Sequence, residues 1–281
     1  MPLLHSAAGS VLAPSPAVSG LQRCQRAGLD AGIEQAVSLA LTRGVDELER
    51  TVAGILMQAG RQGEHHTLPS IIGALSTSAN LALLLQLLLD DERALAAIQR
   101  HSYYHHNGFR KLVLLQNAAF KLRLHLWEAR NEHHHENIHD HRWNFASCLL
   151  AGRFQTVIWE EAVDGSETRL ACTYTPARDG RAYAVRENGV VQLRQQATHT
   201  LSAGELYYLP ASTLHQVTDP GQGHTRSLML TAPPVQADCK LYAEHTIPEQ
   251  DKDNVPFTTA QIRRELTALL LVYGQPTGLA A

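Results

Sequence analysis

Hydrophobic positions follow two rhythms along this chain of 281 residues. From about residue 29 to 99 they recur at spacings of three and four. Ile33, Ala36, Val37, Leu39 and Ala40 form one set, and Val45, Leu48, Val52, Ile55 and Leu56 form another after Gly44. That spacing gathers them on one face of a helix. It predicts four or so short helices, with Asn80 capping the one that holds LALLLQLLL and Asp90–Asp91 starting ERALAAIQR. Their expected role is packing or dimerisation.

After His101 the rhythm changes to two. Asn107-Gly108 is a turn dipeptide, and KLVLLQN reads as the strand that follows it. Residues 121–128 alternate strictly: Leu122, Leu124 and Leu126 share one face, and Lys121, Arg123, His125 and Trp127 share the other. Further strands are predicted at about 143–151, 154–161, 169–176, 181–186, 190–194, 205–209, 214–218 and 226–232. Asp164-Gly165, Asp179-Gly180 and Asn188-Gly189 are read as turns between them. Many short, closely spaced strands indicate a sandwich or barrel. A last amphipathic stretch, about 259–272, predicts a C-terminal helix.

These patterns divide the chain into a flexible leader (1–28), a helical region packing on the barrel (29–104), a barrel (105–245) and a C-terminal segment with a helix (246–281). The leader has no basic n-region and is broken by Pro14 and Pro16, so it makes a poor signal peptide. The most apolar run, Leu81–Leu89, is nine residues interrupted by Gln86. A membrane span needs about 20, so no membrane is expected.

Composition adds little until the histidines. Apolar residues make up 44% and charged residues 18%, which excludes a wholly disordered chain. Formal charge is −3 and no basic recognition helix is evident, so no nucleic acid partner is expected. Four scattered Cys form no CxxC pair, which argues against a disulfide framework or thiolate zinc site and fits a cytoplasmic location. Sixteen His is the unusual number. His139 and His141, at i and i+2, would share one face of an extended chain and reach one metal ion. His215 lies downstream in Gly204-Glu-Leu-Tyr-Tyr-Leu-Pro210-Ala-Ser-Thr-Leu-His215. The run His133–His135 is read as a solvated surface tract.

These two stretches together resemble the paired motifs of the cupin superfamily. His139, His141 and Gly152 fit the first motif, with Phe145 where a Glu is usual. Gly204, Pro210 and His215 fit the second, with Ser212 and Asp219 replacing a Gly and an Asn. The resemblance covers about 105–232. It implies a mainly β fold, a cupin (double-stranded β-helix or jelly-roll) barrel, with the metal inside and the N-terminal helical region and C-terminal helix outside. Three His and no carboxylate look like the cysteine-dioxygenase-like thiol dioxygenase branch. That likeness implies Fe(II) held by His139, His141 and His215, with O2 and a small anionic chelating substrate such as a thiol or amino-acid derivative. Neutral ligands leave the full charge of the metal for that substrate, and imidazole also suits Zn, Ni or Mn.

Arg123 and His125 are the substrate-binding candidates on the 121–128 strand, and Tyr208 is the third. Arg123 resembles the carboxylate-binding Arg of that branch; pairing with Glu128 or Glu160 is the competing reading. Tyr207 and Tyr208 should face opposite ways. Trp143, Phe145 and Ser147 continue the ligand face and should wall the pocket, and Arg142 should point outward. Cys148 is out of register for a Cys–Tyr crosslink, so none is expected. The reading is an iron-dependent cupin oxygenase. Its rivals are a non-oxidative isomerase, lyase or hydrolase with Zn, Ni or Mn, and a non-enzymatic ligand-binding cupin. A homodimer is the assembly the resemblance suggests.

Overall fold

The computed structural model describes residues 20–105, 108–127, 136–176, 183–220, 225–247 and 255–275. The described residues start with an edge strand, β1 (Gln22–Cys24), before four helices: α1 (Ala31–Thr42), α2 (Val45–Leu75), α3 (Ser78–Leu89) and α4 (Glu92–His101). Strands then run from β2 (Tyr103–Tyr104) through β3 (Phe109–Gln116), β4 (Lys121–Trp127), β5 (Ile138–His139), β6 (Phe145–Ala151) and β7 (Arg153–Glu161). They continue with β8 (Glu167–Pro176), β9 (Tyr183–Ser202), β10 (Leu206–Leu209), β11 (Leu214–Thr218), β12 (Arg226–Thr231), β13 (Cys239–Ala243) and β14 (Val255–Pro256). Helix α5 (Thr259–Tyr273) follows.

The strands make two antiparallel sheets. One has eight strands in the order β1-β10-β6-β12-β4-β3-β2-β14. The other has six, β11-β5-β13-β8-β9-β7, and its pairing closes because β7 also bonds β11. The helices cover one face of the first sheet. Leu122, Leu124 and Leu126 of β4 and Leu228 and Leu230 of β12 meet Leu68, Ile72 and Leu85 there. Each fully buried leucine contributes about 2 kcal/mol. The other face of that sheet looks toward the second sheet, and the aromatic core between the two is built from Phe109, Trp127, Phe145, Phe154 and Tyr207. This is the mainly β architecture expected, with a helical region before it and a helix after it.

Several local expectations need correction. Gln22–Cys24, placed in the leader, pairs in register with Leu206–Tyr208. An ion pair between Arg23 and Glu205 holds it there. The helices are not all short: α2 spans 31 residues and breaks at Gly60, where φ is 59°. Helix α3 is capped by Thr77, whose side chain accepts from Asn80 N; Asn80 sits one turn inside. Asp91 caps α4 as its position implied. Asn188-Gly189 is not a turn. The β8–β9 register slips there, from Ala171↔Gly189 to Cys172↔Glu187, so Asn188 is the extra residue of a bulge. Gly189, at φ 104°, allows the strand to pass through. Asp164-Gly165 does turn β7 into β8, with Gly165 N donating to Ala162 O. Gly108 N closes the β2–β3 turn on His105 O, whereas Asn107, Asp179-Gly180 and the His133–His135 run lie outside the described residues. Among the described residues, no single helix is long and apolar enough to cross a membrane.

Candidate metal centre

His139 ends β5, and His215 pairs with it across the β5–β11 ladder. His141 follows two residues later, where its backbone N–H donates to Ala211 O at 2.9 Å. The three rings converge, with centroids 4.5–4.9 Å apart. One nitrogen from each lies within 4.8 Å of the others. Two rings are oriented from behind: His139 Nδ1 donates to Asn137 O at 2.8 Å and His215 Nδ1 to Thr213 O at 3.2 Å. Those bonds fix the tautomer that leaves Nε2 bare and lone-paired toward the centre. Burial keeps all three imidazoles neutral, and like rings nearby add to the effect for His215 and His141. His215 is lowered to about 3, His141 is held well below the usual range, and His139 is lowered. Three converging neutral imidazoles are a ligand set for a divalent metal. Among the described residues, no Asp, Glu or Cys joins the cluster.

Asp140, between two of the ligands, faces away. Its carboxylate accepts from Lys240 N at 2.6 Å and Gln236 Nε2 at 3.1 Å, which pins the loop to β13. Asn144 pins the same loop to the helices. Its Nδ2 donates to Glu64 Oε2 of α2 at 2.7 Å, and its Oδ1 accepts from Ala211 N at 2.8 Å. Since Ala211 O accepts from His141, a continuous strut runs from α2 to a metal ligand. Gly152 serves the turn after β6: its φ is 74°, and a Cβ there would lie 2.3 Å from Thr225 Oγ1.

The imidazoles open on a cavity of about 130 Å³. Arg123 and His125 line it, because the leucine face of β4 is turned to the helices. Both are buried. Arg123 Nε and His125 Nε2 have no hydrogen-bond partner among the described residues. The Arg123 guanidinium lies 4.4 Å from the Trp143 ring centroid. Of its two rival partners, Glu160 is taken by Arg194 and Glu128 lies outside the described residues. Phe145 and Trp143 line the cavity, with Phe145 5.0 Å from the His141 ring in place of a carboxylate. Arg142 is directed outward, with Nη1 donating to Ala237 O at 3.4 Å.

Two assignments are corrected. Tyr207, not Tyr208, lines the cavity; Tyr208 faces the helices, edge-on to His65. The strict alternation of β10 made one of the pair face in, and only the partner strand settles which. Ser147 lies behind the wall rather than in it: it shares the face of Phe145, but its hydroxyl donates to Leu228 O at 3.2 Å. Cys148 packs on the helical side near Arg26, away from Tyr207.

Sequence reasoning missed Tyr103, Lys111 and Glu136, which also line the cavity. Lys111 was legible in principle, because it stands two residues before Val113 on the inward face of β3. Glu136 is buried, and desolvation raises its carboxyl to about 8 against one weak hydrogen bond from Val217 N. Burial therefore favours its neutral, protonated form.

Two antiparallel sheets enclosing three convergent histidines define a mainly β, double-sheet fold with a three-histidine site able to hold a divalent metal. Among solved structures, the chain is similar to an RmlC-like cupin from Shewanella frigidimarina. They share 13% identity and a TM-score of 0.27 over 46% of this chain and 80% of that one. It is similar to a protein with a double-stranded β-helix domain from Klebsiella pneumoniae, at 11% identity and TM-score 0.29 over 48% and 84%. It also overlaps an oxalate decarboxylase of Bacillus subtilis, at 15% identity and TM-score 0.28 over 47% of this chain and 27% of that one. No protein-family model and no curated protein matches the chain.

Proposed function

We propose that the protein is a mononuclear metal enzyme, an Fe(II)-dependent cupin oxygenase acting with O2 on a small anionic chelating substrate. The observation that carries this reading is the convergence of three neutral imidazoles, joined in the cluster by no Asp or Glu among the described residues, at a cavity that also holds the buried Arg123. A divalent metal on His139, His141 and His215 would supply Lewis acidity, and iron would also supply redox chemistry. Three protein ligands leave about three positions of an octahedral ion for other groups. The protein's own side chains do the rest. Arg123 offers an anion partner, and His125 and Tyr207 offer polar atoms toward the cavity. Trp143, Phe145 and Phe154 limit access of water. A thiol or amino-acid derivative matches a site that needs one chelating group and one anionic group.

The test is elemental analysis of protein from iron-supplemented cells, paired with dissolved-O2 measurements on candidate substrates. Wild-type protein is expected to carry one metal per chain and His215→Ala almost none. Equal metal in both would overturn the ligand assignment. A metal-loaded enzyme that turns over substrate without consuming O2 would retain the site but assign it to non-oxidative chemistry with Zn, Ni or Mn.

A further inference from the structure

The cavity is lined by two basic side chains, Lys111 and Arg123, one more than a single-carboxylate substrate would engage. Lys111 of β3 pairs with His125 of β4, and Arg123 pairs with Val113, two residues along from Lys111. Lys111 and Arg123 are therefore diagonal neighbours on one sheet face, roughly 7–8 Å apart. Lys111 also pairs with Tyr103 of β2, and its ammonium donates to the Tyr103 hydroxyl at 2.5 Å. All three side chains line the cavity. Neither cation belongs to an ion pair among the described residues.

The acids in the cavity do not balance them. Asp140 is bound to Lys240 N and Gln236 on the far side of its loop, and Glu136 is held neutral by burial. Burial, with Arg123 adding to it, holds Lys111 well below the usual lysine range, and burial, with Arg142 adding to it, lowers Arg123 to about 10. Two basic side chains facing one space at that cost mark a place for an anion that arrives from outside and favours the charged form of both. The place is set to one side of the ligands. Arg123 lies against Trp143, whose ring is in turn 5.9 Å from His141.

We propose that Lys111, Arg123 and the Tyr103 hydroxyl form a second anion subsite, and that the substrate is a dianion with two acidic groups. One group goes to the metal side and the other lies between Lys111 and Arg123. The reading rests on the metal site only for the first group. The Tyr103 hydroxyl already bonds Lys111 and would hold it against the incoming acid.

Matched acids of equal carbon number test this: malonate against propionate, succinate against butyrate, glutarate against pentanoate. Binding to the metal-loaded protein is followed by tryptophan fluorescence, since Trp143 lies under Arg123, or by calorimetry at fixed ionic strength. At least one dicarboxylate is expected to bind ten-fold or more tighter than its partner. Lys111→Met should reduce that ratio to below two-fold while leaving the metal content unchanged. Lys111→Arg, which keeps the charge, should preserve the preference and serves as the second variant should the Met form fail to fold. No preference in any pair, or a preference that survives Lys111→Met, overturns the proposal. The same pairs are run on His215→Ala. A dicarboxylate preference that persists there while metal is lost supports the subsite without the metal. Metal retained in His215→Ala overturns the ligand assignment and leaves the anion result standing by itself.

Discussion

Strand β4 has two faces that obey opposite rules. On one, Leu122, Leu124 and Leu126 are sealed against the helices in a dry core whose atoms need nothing further. On the other, Arg123 and His125 are just as buried but keep nitrogen atoms with no partner among the described residues. The first face stabilises the fold. The second draws on that stability, because burying charge without a partner is costly. A strand can carry both only because successive side chains point opposite ways, and a slip of one residue would exchange them.

The contrast can be tested in descending order of effect. Leu124→Ala on the helical face should cost about 2–5 kcal/mol in denaturant unfolding. Metal per folded chain should stay the same, and a loss of metal out of proportion to unfolding would show that the two faces are not separate. Glu136→Gln on the cavity side should act through pH. The folded carboxyl titrates at about 8 and the unfolded one near 4.5. Whatever stability its neutral form gives is therefore complete below pH 4.5 and declines until pH passes 8. Wild-type protein should lose up to about 1.4 kcal/mol per pH unit in that window relative to the glutamine variant, with solvent relaxation reducing the figure. Parallel pH profiles for the two proteins would mean that Glu136 is ionised in the fold.

Glu64→Ala should cost about 1–3 kcal/mol by leaving the Asn144 Nδ2 without its Glu64 partner. It should also release metal faster on chelator challenge, and an unchanged release rate would separate the helices from the centre. Smallest of all, Arg123→Met should change stability by about 1 kcal/mol or less, and in the stabilising direction. A large destabilisation would reveal an internal partner for the guanidinium and remove the reason to look for one in a substrate.

Much of this was readable beforehand because short-range patterns fix it. The alternation at 121–127 assigned both faces of β4, and the HxH pair with His215 marked the centre. What depends on pairing between distant strands was not readable. Tyr207 and Tyr208 are equivalent in isolation, and only the β10–β6 and β10–β1 ladders decide between them. Asn188-Gly189 has turn chemistry, but the long β8–β9 hairpin absorbs it as a bulge. Lys111 and Glu136 carry no motif; their interest comes from the cavity that distant strands close around them.

The Glu64–Asn144–Ala211–His141 chain of bonds gives the helical half of the molecule a mechanical meaning. That chain starts in the second half of α2, beyond its break at Gly60, and ends at the His141 backbone N–H, whereas the rings of His139 and His215 are held by the carbonyls of Asn137 and Thr213. The centre is thus a tripod with two feet set in the barrel and the third tied to the helices.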